Sequence, residues 1–208
     1  MFDQLLERYP ALEECKDEIK KAADTVISCY ENGSKVLLCG NGGSCADCDH
    51  IVGELMKGFL KRRPISEDVK ADMKAASPLL DDELLAKLQC GLPAISLPSI
   101  AGLNSAFCND VDPELIYAQS LFALAKKGDV LIALSTSGNA KNVFAAVKIA
   151  KALGVTVIGM TGRKGGLLRE NADICIRVPE DETFMIQELH LPVYHYLCAE
   201  VEAGFFEK

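Results

Sequence analysis

Residues 129–139 read DVLIALSTSGN, and this stretch decides the fold. Residues 129–134 are almost continuously apolar, which is typical of a strand buried on both faces of a parallel sheet. A turn of three hydroxyl residues and Gly138 follows at once, and a helical pattern then runs to Leu153. A strand that passes through such a turn into a helix is half of a βαβ unit.

The same pattern occurs along most of the chain. Apolar segments alternate with helical ones, which predicts an α/β fold: a doubly wound, five-stranded parallel sheet with helices on both faces. A single domain is predicted over 1–208, with an N-terminal helix over 1–32 and an insertion of two short helices over 60–92. The predicted strands are 35–39, 93–97, 129–134, 156–160 and 174–178, and the longer helices are 44–59, 115–126, 139–153 and 183–205.

Composition excludes several classes of protein. A formal net charge of −8 argues against a nucleic-acid partner, because phosphate neutralisation needs a basic surface. The first residues lack the pattern of a signal peptide, and no apolar run is long enough for a membrane span. The nine cysteines are an odd number, which favours free thiols in a reducing cytoplasm.

Two strand-ending loops predict a phosphate site. Residues 40–44 read GNGGS, where the glycines allow the backbone to approach a ligand and Ser44 is expected to cap the next helix. Residues 135–138 again place hydroxyls beside a glycine at a helix N-terminus, and free N–H groups there attract an anion. Either loop alone is equally typical of an ordinary tight turn. Together, on strands of one sheet, they favour a bound phosphate.

Two nucleotide motifs are absent from the first loop. No Lys-Ser or Lys-Thr follows the glycines, as an ATPase loop requires. The third glycine of a dinucleotide fingerprint is also missing. No nucleotide cofactor is therefore expected.

The histidines lie on two of the predicted helices. His50 and Glu54 are spaced i, i+4 and share one face, whereas His190, His195 and Gln187 lie on the last helix. Any one of these histidines could be an ordinary packing or surface residue. Their grouping suggests proton transfer.

Three segments resemble the signature of the sugar-isomerase (SIS) domain family, and most closely its phosphoheptose isomerase branch. They are GNGGS at 40–44, STSGN at 135–139 and IQELH at 186–190. The resemblance implies a flavodoxin-like SIS domain that interconverts sedoheptulose 7-phosphate and D-glycero-D-manno-heptose 7-phosphate through an enediol. It also implies a homotetramer with active sites at subunit interfaces.

Roles for individual residues follow from the same resemblance. Glu54 and His195 match the acid/base pair, and some family members bind zinc through residues matching His50, Glu54, Gln187 and His195. Gln187 and His195 are separated by about 12 Å on a regular helix, so one ion can reach both only through distortion, for example at Pro192, or through a second subunit. The expected substrate contacts are Asn41, Gly42, Gly43, Ser44, Asn109, Asp110, Ser135, Thr136, Ser137, Asn139 and Gln187, with Asn109 and Asp110 in the loop after the second strand.

The sequence departs from the family in three places. Ala140 stands where a serine is usual, Gly58 stands where a basic residue is expected beside Lys57, and the insertion is extra. A related sugar phosphate therefore stays open as the substrate. A non-catalytic SIS protein that binds a phosphosugar, or a partner such as a replication initiator, is the alternative function, although the presence of both Glu54 and His195 favours an enzyme.

The last helix also has a long apolar face, which predicts that this helix lies at a subunit interface. The face consists of Ile186, Leu189, Val193, Tyr194, Leu197 and Val201.

Overall fold

The computed structural model describes residues 1–206 and contains one sheet of five parallel strands. The predicted α/β fold is confirmed. The strand order is β2-β1-β3-β4-β5, so the chain reverses its direction of winding between β1 and β3. Ligands of such sheets bind in the crevice where the strand order reverses. The strands are β1 (Val36–Cys39), β2 (Ala94–Ser96), β3 (Val130–Leu134), β4 (Thr156–Thr161) and β5 (Ile174–Arg177).

Helices cover both faces of the sheet. On one face α2, α3 and α10 enclose a core with Leu38, Ile132 and Ile158, and on the other α7 and α8 pack over Leu37 and Leu131. The helices are α1 (Phe2–Arg8), α2 (Lys16–Glu31), α3 (Gly43–Met56), α4 (Glu67–Ala76), α5 (Asp82–Lys87), α6 (Ala101–Asp110), α7 (Ile116–Leu124), α8 (Lys141–Leu153), α9 (Gly166–Asn171) and α10 (Thr183–Phe206).

The N-terminal segment differs from the single helix predicted over 1–32. Helix α1 ends at Arg8, a 3₁₀ segment occupies Pro10–Cys15, and α2 begins at Lys16. Pro10 has no N–H group and cannot continue a helix from the preceding turn, so the chain bends there. Both pieces still bury their apolar residues, among them Leu5 and Ile19, in the same core.

The insertion contains the two predicted helices, α4 and α5. An isolated antiparallel bridge between Pro64 and Gln89 closes its base. Helix α3 ends at Met56, three residues earlier than predicted, and residues 57–63 lead into the insertion. Within residues 1–206, no helix has both the length and the apolar character needed to cross a bilayer.

Candidate active site

A pocket of about 450 Å³ lies at the carboxyl ends of β1 and β3. Most of the residues predicted to bind phosphate meet here, because β1 and β3 are neighbours in the sheet. Two residues that the sequence did not single out, Leu134 and Thr183, also line the pocket, together with Ala140, which stands where the family usually has a serine. The predicted residues in the lining are Asn41, Gly42, Gly43, Ser44, Ser135, Thr136, Ser137 and Gln187.

The glycines of both loops are required by the backbone or by close packing. Gly42 and Gly138 have φ values of +57° and +69°, in the left-handed region that glycine adopts without steric cost. A Cβ at Gly43 would lie 2.5 Å from Nε2 of Gln187, so the start of α3 and the first turn of α10 approach closely. This approach brings Gln187 to the pocket.

Ser44 does not cap α3, contrary to the prediction. The helix already begins at Gly43, its N-cap is Gly42, and Ser44 is a buried residue of the first turn. Neither N-cap residue, Gly42 of α3 or Ala140 of α8, caps its helix through a side chain. The N–H groups of Ser44 and Cys45 donate to backbone carbonyls, and that of Val143 donates to Oδ1 of Asn142, so the N–H groups left for an anion are the earliest ones of each helix.

Polar side chains link the first loop to α7 and α8. The Tyr117 hydroxyl donates to the carbonyl of Gly40 over 2.7 Å and lies 3.1 Å from Oδ1 of Asn41. The amides of Asn41 and Asn142 exchange two hydrogen bonds, of 2.8 and 2.9 Å. Asn41 thus links the first loop to the start of α8, and Asn142 is a site residue that the sequence did not indicate.

Three predicted substrate residues lie elsewhere. Asn139 donates to the carbonyl of Ser137 and accepts from the N–H of Leu167, so its amide holds the second loop. Asn109 and Asp110 were predicted in a loop, but they are the last two residues of α6. Their side chains are exposed and hydrogen-bonded to each other.

A second cluster contains His50, Glu54 and His195. Nε2 of His50 lies 3.3 Å from Oε1 of Glu54, and Nζ of Lys57 lies 3.0 Å from Oε2. The rings of His50 and His195 meet edge to face, with centroids 5.1 Å apart. Burial lowers the pKa of His195, and the neighbouring His50 lowers it further, while Glu54 acts in the opposite direction. The structure thus brings together, within one chain, both residues predicted to transfer protons.

Tyr194 and Asp47 form a hydrogen-bond chain to His50 of this cluster. The Tyr194 hydroxyl donates to Oδ1 of Asp47 over 3.2 Å and lies 3.0 Å from Nδ1 of His50. Since that single hydroxyl proton goes to Asp47, Nδ1 of His50 is the donor to Tyr194, and Nε2 faces Glu54. Burial raises the pKa of Asp47, although the Tyr194 hydrogen bond partly opposes this. Asp47 precedes His50 by one helical turn, so the i, i+3 spacing in the sequence indicates that both lie on one face of α3.

The third histidine, His190, belongs to neither cluster. It is completely buried, and neither ring nitrogen has a hydrogen-bond partner in the described part of the chain. Burial lowers its pKa to about 4, and the nearby backbone of Thr161 offsets only part of this shift. His190 is therefore a neutral packing residue at ordinary pH.

The predicted zinc ligands do not converge in one chain. Gln187 lies against Gly43 at the phosphate pocket, whereas His195 lies eight positions further along α10, beside His50. Helix α10 runs unbroken through Pro192 between them. Across residues 1–206, no group of three or more His, Cys, Asp or Glu side chains is arranged to hold a metal ion. Of the four predicted ligands, His50, Glu54 and His195 lie together in one chain, and Gln187 lies apart from them.

Comparison with known proteins agrees with this architecture. Residues 2–89 and 104–197 each match a model described as an SIS domain. The phosphoheptose isomerase of Burkholderia pseudomallei strain 1710b is 39% identical over 91% of this chain and 83% of its own length. The phosphoheptose isomerase of Aneurinibacillus thermoaerophilus is 36% identical over 90% and 82%.

Solved structures lead to the same group. The phosphoheptose isomerase of Neisseria gonorrhoeae has a TM-score of 0.76 and 29% identity, over 97% of this chain and 95% of its own. The enzyme from Francisella tularensis has a TM-score of 0.74, also at 29% identity, over 97% of this chain and 94% of its own. Because it is 36–39% identical to the two curated relatives over at least 90% of its length, the chain belongs to the phosphoheptose isomerase family of SIS-domain proteins.

Proposed function

We propose that this protein is an aldose–ketose isomerase that converts sedoheptulose 7-phosphate into D-glycero-D-manno-heptose 7-phosphate. The observation that carries the proposal is that two helices lead from the phosphate pocket to the proton-transfer cluster. Helix α3 begins at the pocket and carries Glu54 about 15 Å further on, and α10 carries Gln187 at the pocket and His195 about 12 Å beyond it. Because α3 and α10 of one chain pack directly against each other, the phosphate is proposed to lie at the helix starts of one chain, and the Glu54 and His195 that act on the carbonyl end are proposed to come from a neighbouring chain.

The proposed reaction is a proton transfer between adjacent carbons. Glu54 takes the proton from C1 of the ketose, and His195 donates a proton to the C2 carbonyl oxygen, which forms the enediol. Glu54 then returns its proton to C2, while His195 recovers one from the C1 hydroxyl, which becomes the aldehyde. A neutral imidazole can both donate and accept, and the lowered pKa of His195 suits that role.

The non-catalytic alternative has less support. A sensor or scaffold needs the phosphate loops, but it does not need a second cluster with a carboxylate, two imidazoles and the hydrogen-bonded Tyr194–Asp47 pair. The two curated relatives are phosphoheptose isomerases, and this chain aligns with more than four fifths of each. A different heptose or hexose phosphate is the remaining alternative substrate, because Ala140 offers no hydroxyl to the pocket.

Glu54→Gln and His195→Asn test the proposal. Each should lower turnover of sedoheptulose 7-phosphate by about 100-fold or more, the usual loss for a positioned proton-transfer group, with the fold and phosphate binding retained. Glu31→Gln, an exposed carboxylate at the end of α2 and outside both clusters, is the matched control and should have normal turnover. Solvent deuterium should enter the product during turnover. Near-normal rates in both site variants would refute the mechanism and favour the binding protein.

We also propose a homotetramer with its sites at subunit interfaces, but on different residues from those first predicted. The apolar face of α10 is mostly buried in the chain's own core, so it is not available to a partner. Exposed apolar side chains occur instead at Phe184, Met185 and Leu191, and His195 lines an open, largely apolar cavity of about 320 Å³. Light scattering at micromolar concentration should give four chains, and a monomer would contradict this.

A zinc ion, if the protein binds one, is proposed to lie between subunits, because Gln187 and His195 of one chain are too far apart along α10. His50→Ala should then lower the zinc content measured on the purified protein. We further propose that residues 1–208 act as one SIS domain in the cytoplasm. Both cores share one sheet, and all nine cysteines are free thiols.

A further inference from the structure

One ion pair is buried completely within the chain, between the insertion and the last helix. Arg63 is 1% exposed and Glu202 is 0% exposed, and Nε of Arg63 donates to Oε1 of Glu202 over 2.9 Å. A buried ion pair is weak evidence for stability, because its attraction must first repay the loss of water around both charges. Its position is more informative than its strength.

The guanidinium of Arg63 holds the end of α3. Its Nη1 donates to the carbonyl of Leu55 over 2.7 Å, and its Nη2 donates to the carbonyl of Glu54 over 3.2 Å. The last four carbonyls of a helix lack partners inside the helix, and α3 has no left-handed glycine to close its end, since Lys57 is extended. Arg63 therefore replaces the usual cap on the turn that carries the proposed base.

The carboxylate of Glu202 holds the chain that follows α3. It accepts hydrogen bonds from the N–H groups of Phe59, Leu60 and Lys61, at 2.8, 2.8 and 3.2 Å. Burial raises the pKa of Glu202, but the N–H groups of Phe59 and Leu60 together with Arg63 outweigh it, so the net pKa is lowered. The carboxylate stays charged and holds Phe59 in one position.

Phe59 contacts the second proposed catalytic residue. Its ring lies 5.6 Å from that of His195, measured between centroids. His195 is on α10, two turns before Glu202, so both face the same segment. We propose that Arg63 and Glu202 are positioning residues of the isomerase, which set Glu54 through the end of α3 and His195 through Phe59; this inference rests on the proposed function.

A matched buried carboxylate separates positioning from stability. Asp129 is 2% exposed, accepts from two backbone N–H groups and pairs with Lys35, as Glu202 does with Arg63, but it lies just before β3, and its partners Lys35 and Lys126 belong to neither cluster. Glu202→Gln and Asp129→Asn are therefore compared for thermal stability, kcat and KM with sedoheptulose 7-phosphate, and for inhibition by inorganic phosphate.

We expect both variants to lose stability, and only Glu202→Gln to lose kcat, by at least tenfold. The KM and the inhibition constant of inorganic phosphate should stay within about twofold, because the phosphate pocket does not touch the pair. A loss of kcat below tenfold, or an equal loss in Asp129→Asn, would overturn the proposal.

If Glu202→Gln does not fold, Phe59→Leu tests the positioning role in its place. This variant keeps both buried charges and the backbone N–H group, and it removes only the ring that contacts His195. A kcat lowered at least threefold with unchanged KM supports the positioning role, and a smaller change overturns it. Failure of the positioning role can be distinguished from failure of the proposed function: if the proposed function is wrong, Glu54→Gln also keeps its turnover.

Discussion

The His190→Leu substitution should remove a pH-dependent part of the protein's stability. His190 is completely buried, and neither ring nitrogen has a partner within residues 1–206, so the imidazole must be neutral for the chain to fold around it. Its pKa falls from 6.5 to about 4 on folding. The unfolded chain therefore binds a proton between these two pH values while the native state does not.

The sign and size of the effect follow from proton linkage. Above pH 6.5 both states are neutral at this position, so stability is not affected. As the pH falls, the unfolded state gains a proton first, and stability decreases by up to about 3 kcal/mol below pH 4. At pH 5 the loss is about 2 kcal/mol.

Urea unfolding at pH 7.5 and at pH 5.0 measures this loss. The wild-type protein and His190→Leu should be compared at one protein concentration, since an oligomer's stability depends on concentration. Leucine has a similar volume and no titrating group, so the change at pH 7.5 should be small, about 1 kcal/mol or less. The variant should lose about 2 kcal/mol less than the wild type on going to pH 5.0. An identical pH dependence in the two proteins would refute the reasoning.

Three further substitutions test the site. Gly138→Ala should lower Tm and raise KM, because a left-handed non-glycine residue costs about 1–2 kcal/mol and the new Cβ would overlap the Gly165 carbonyl. Its control is Gly33→Ala, at φ +70° with open space around it, which should lower Tm and leave KM unchanged. Thr183→Val should raise KM about fivefold, the loss of one hydrogen bond to phosphate, with unchanged kcat; an unchanged KM would exclude that contact. Tyr194→Phe should lower kcat about tenfold without unfolding the protein, and a normal kcat would show that the tyrosine does not orient the histidine.

Much of the site could be predicted because its signals are local. Continuous apolar runs identify the buried strands and period-3.6 patterns the helices, and both phosphate loops follow directly from the strands that carry them. Since parallel strands end at one edge of the sheet, Ser44 and Ser135 could be expected together. The pairing of His50 with Glu54 is likewise a consequence of helical spacing alone, and it is confirmed at 3.3 Å.

Other features depend on contacts between distant segments and could not be read from any local pattern. The apolar face of α10 looks the same in the sequence whether it meets another subunit or its own core, and only the packing of α2 and α3 against it decides. The position of Thr183 at the phosphate pocket follows from the close approach of α10 to Gly43. The partnership of Arg63 with Glu202 joins residues 139 positions apart. The sequence by itself determined most of the helices and strands, the two phosphate loops and the placement of Glu54 and His195 on helices, because these depend on neighbouring residues. Only the tertiary structure decided which buried groups meet, because that depends on how all the elements pack at once.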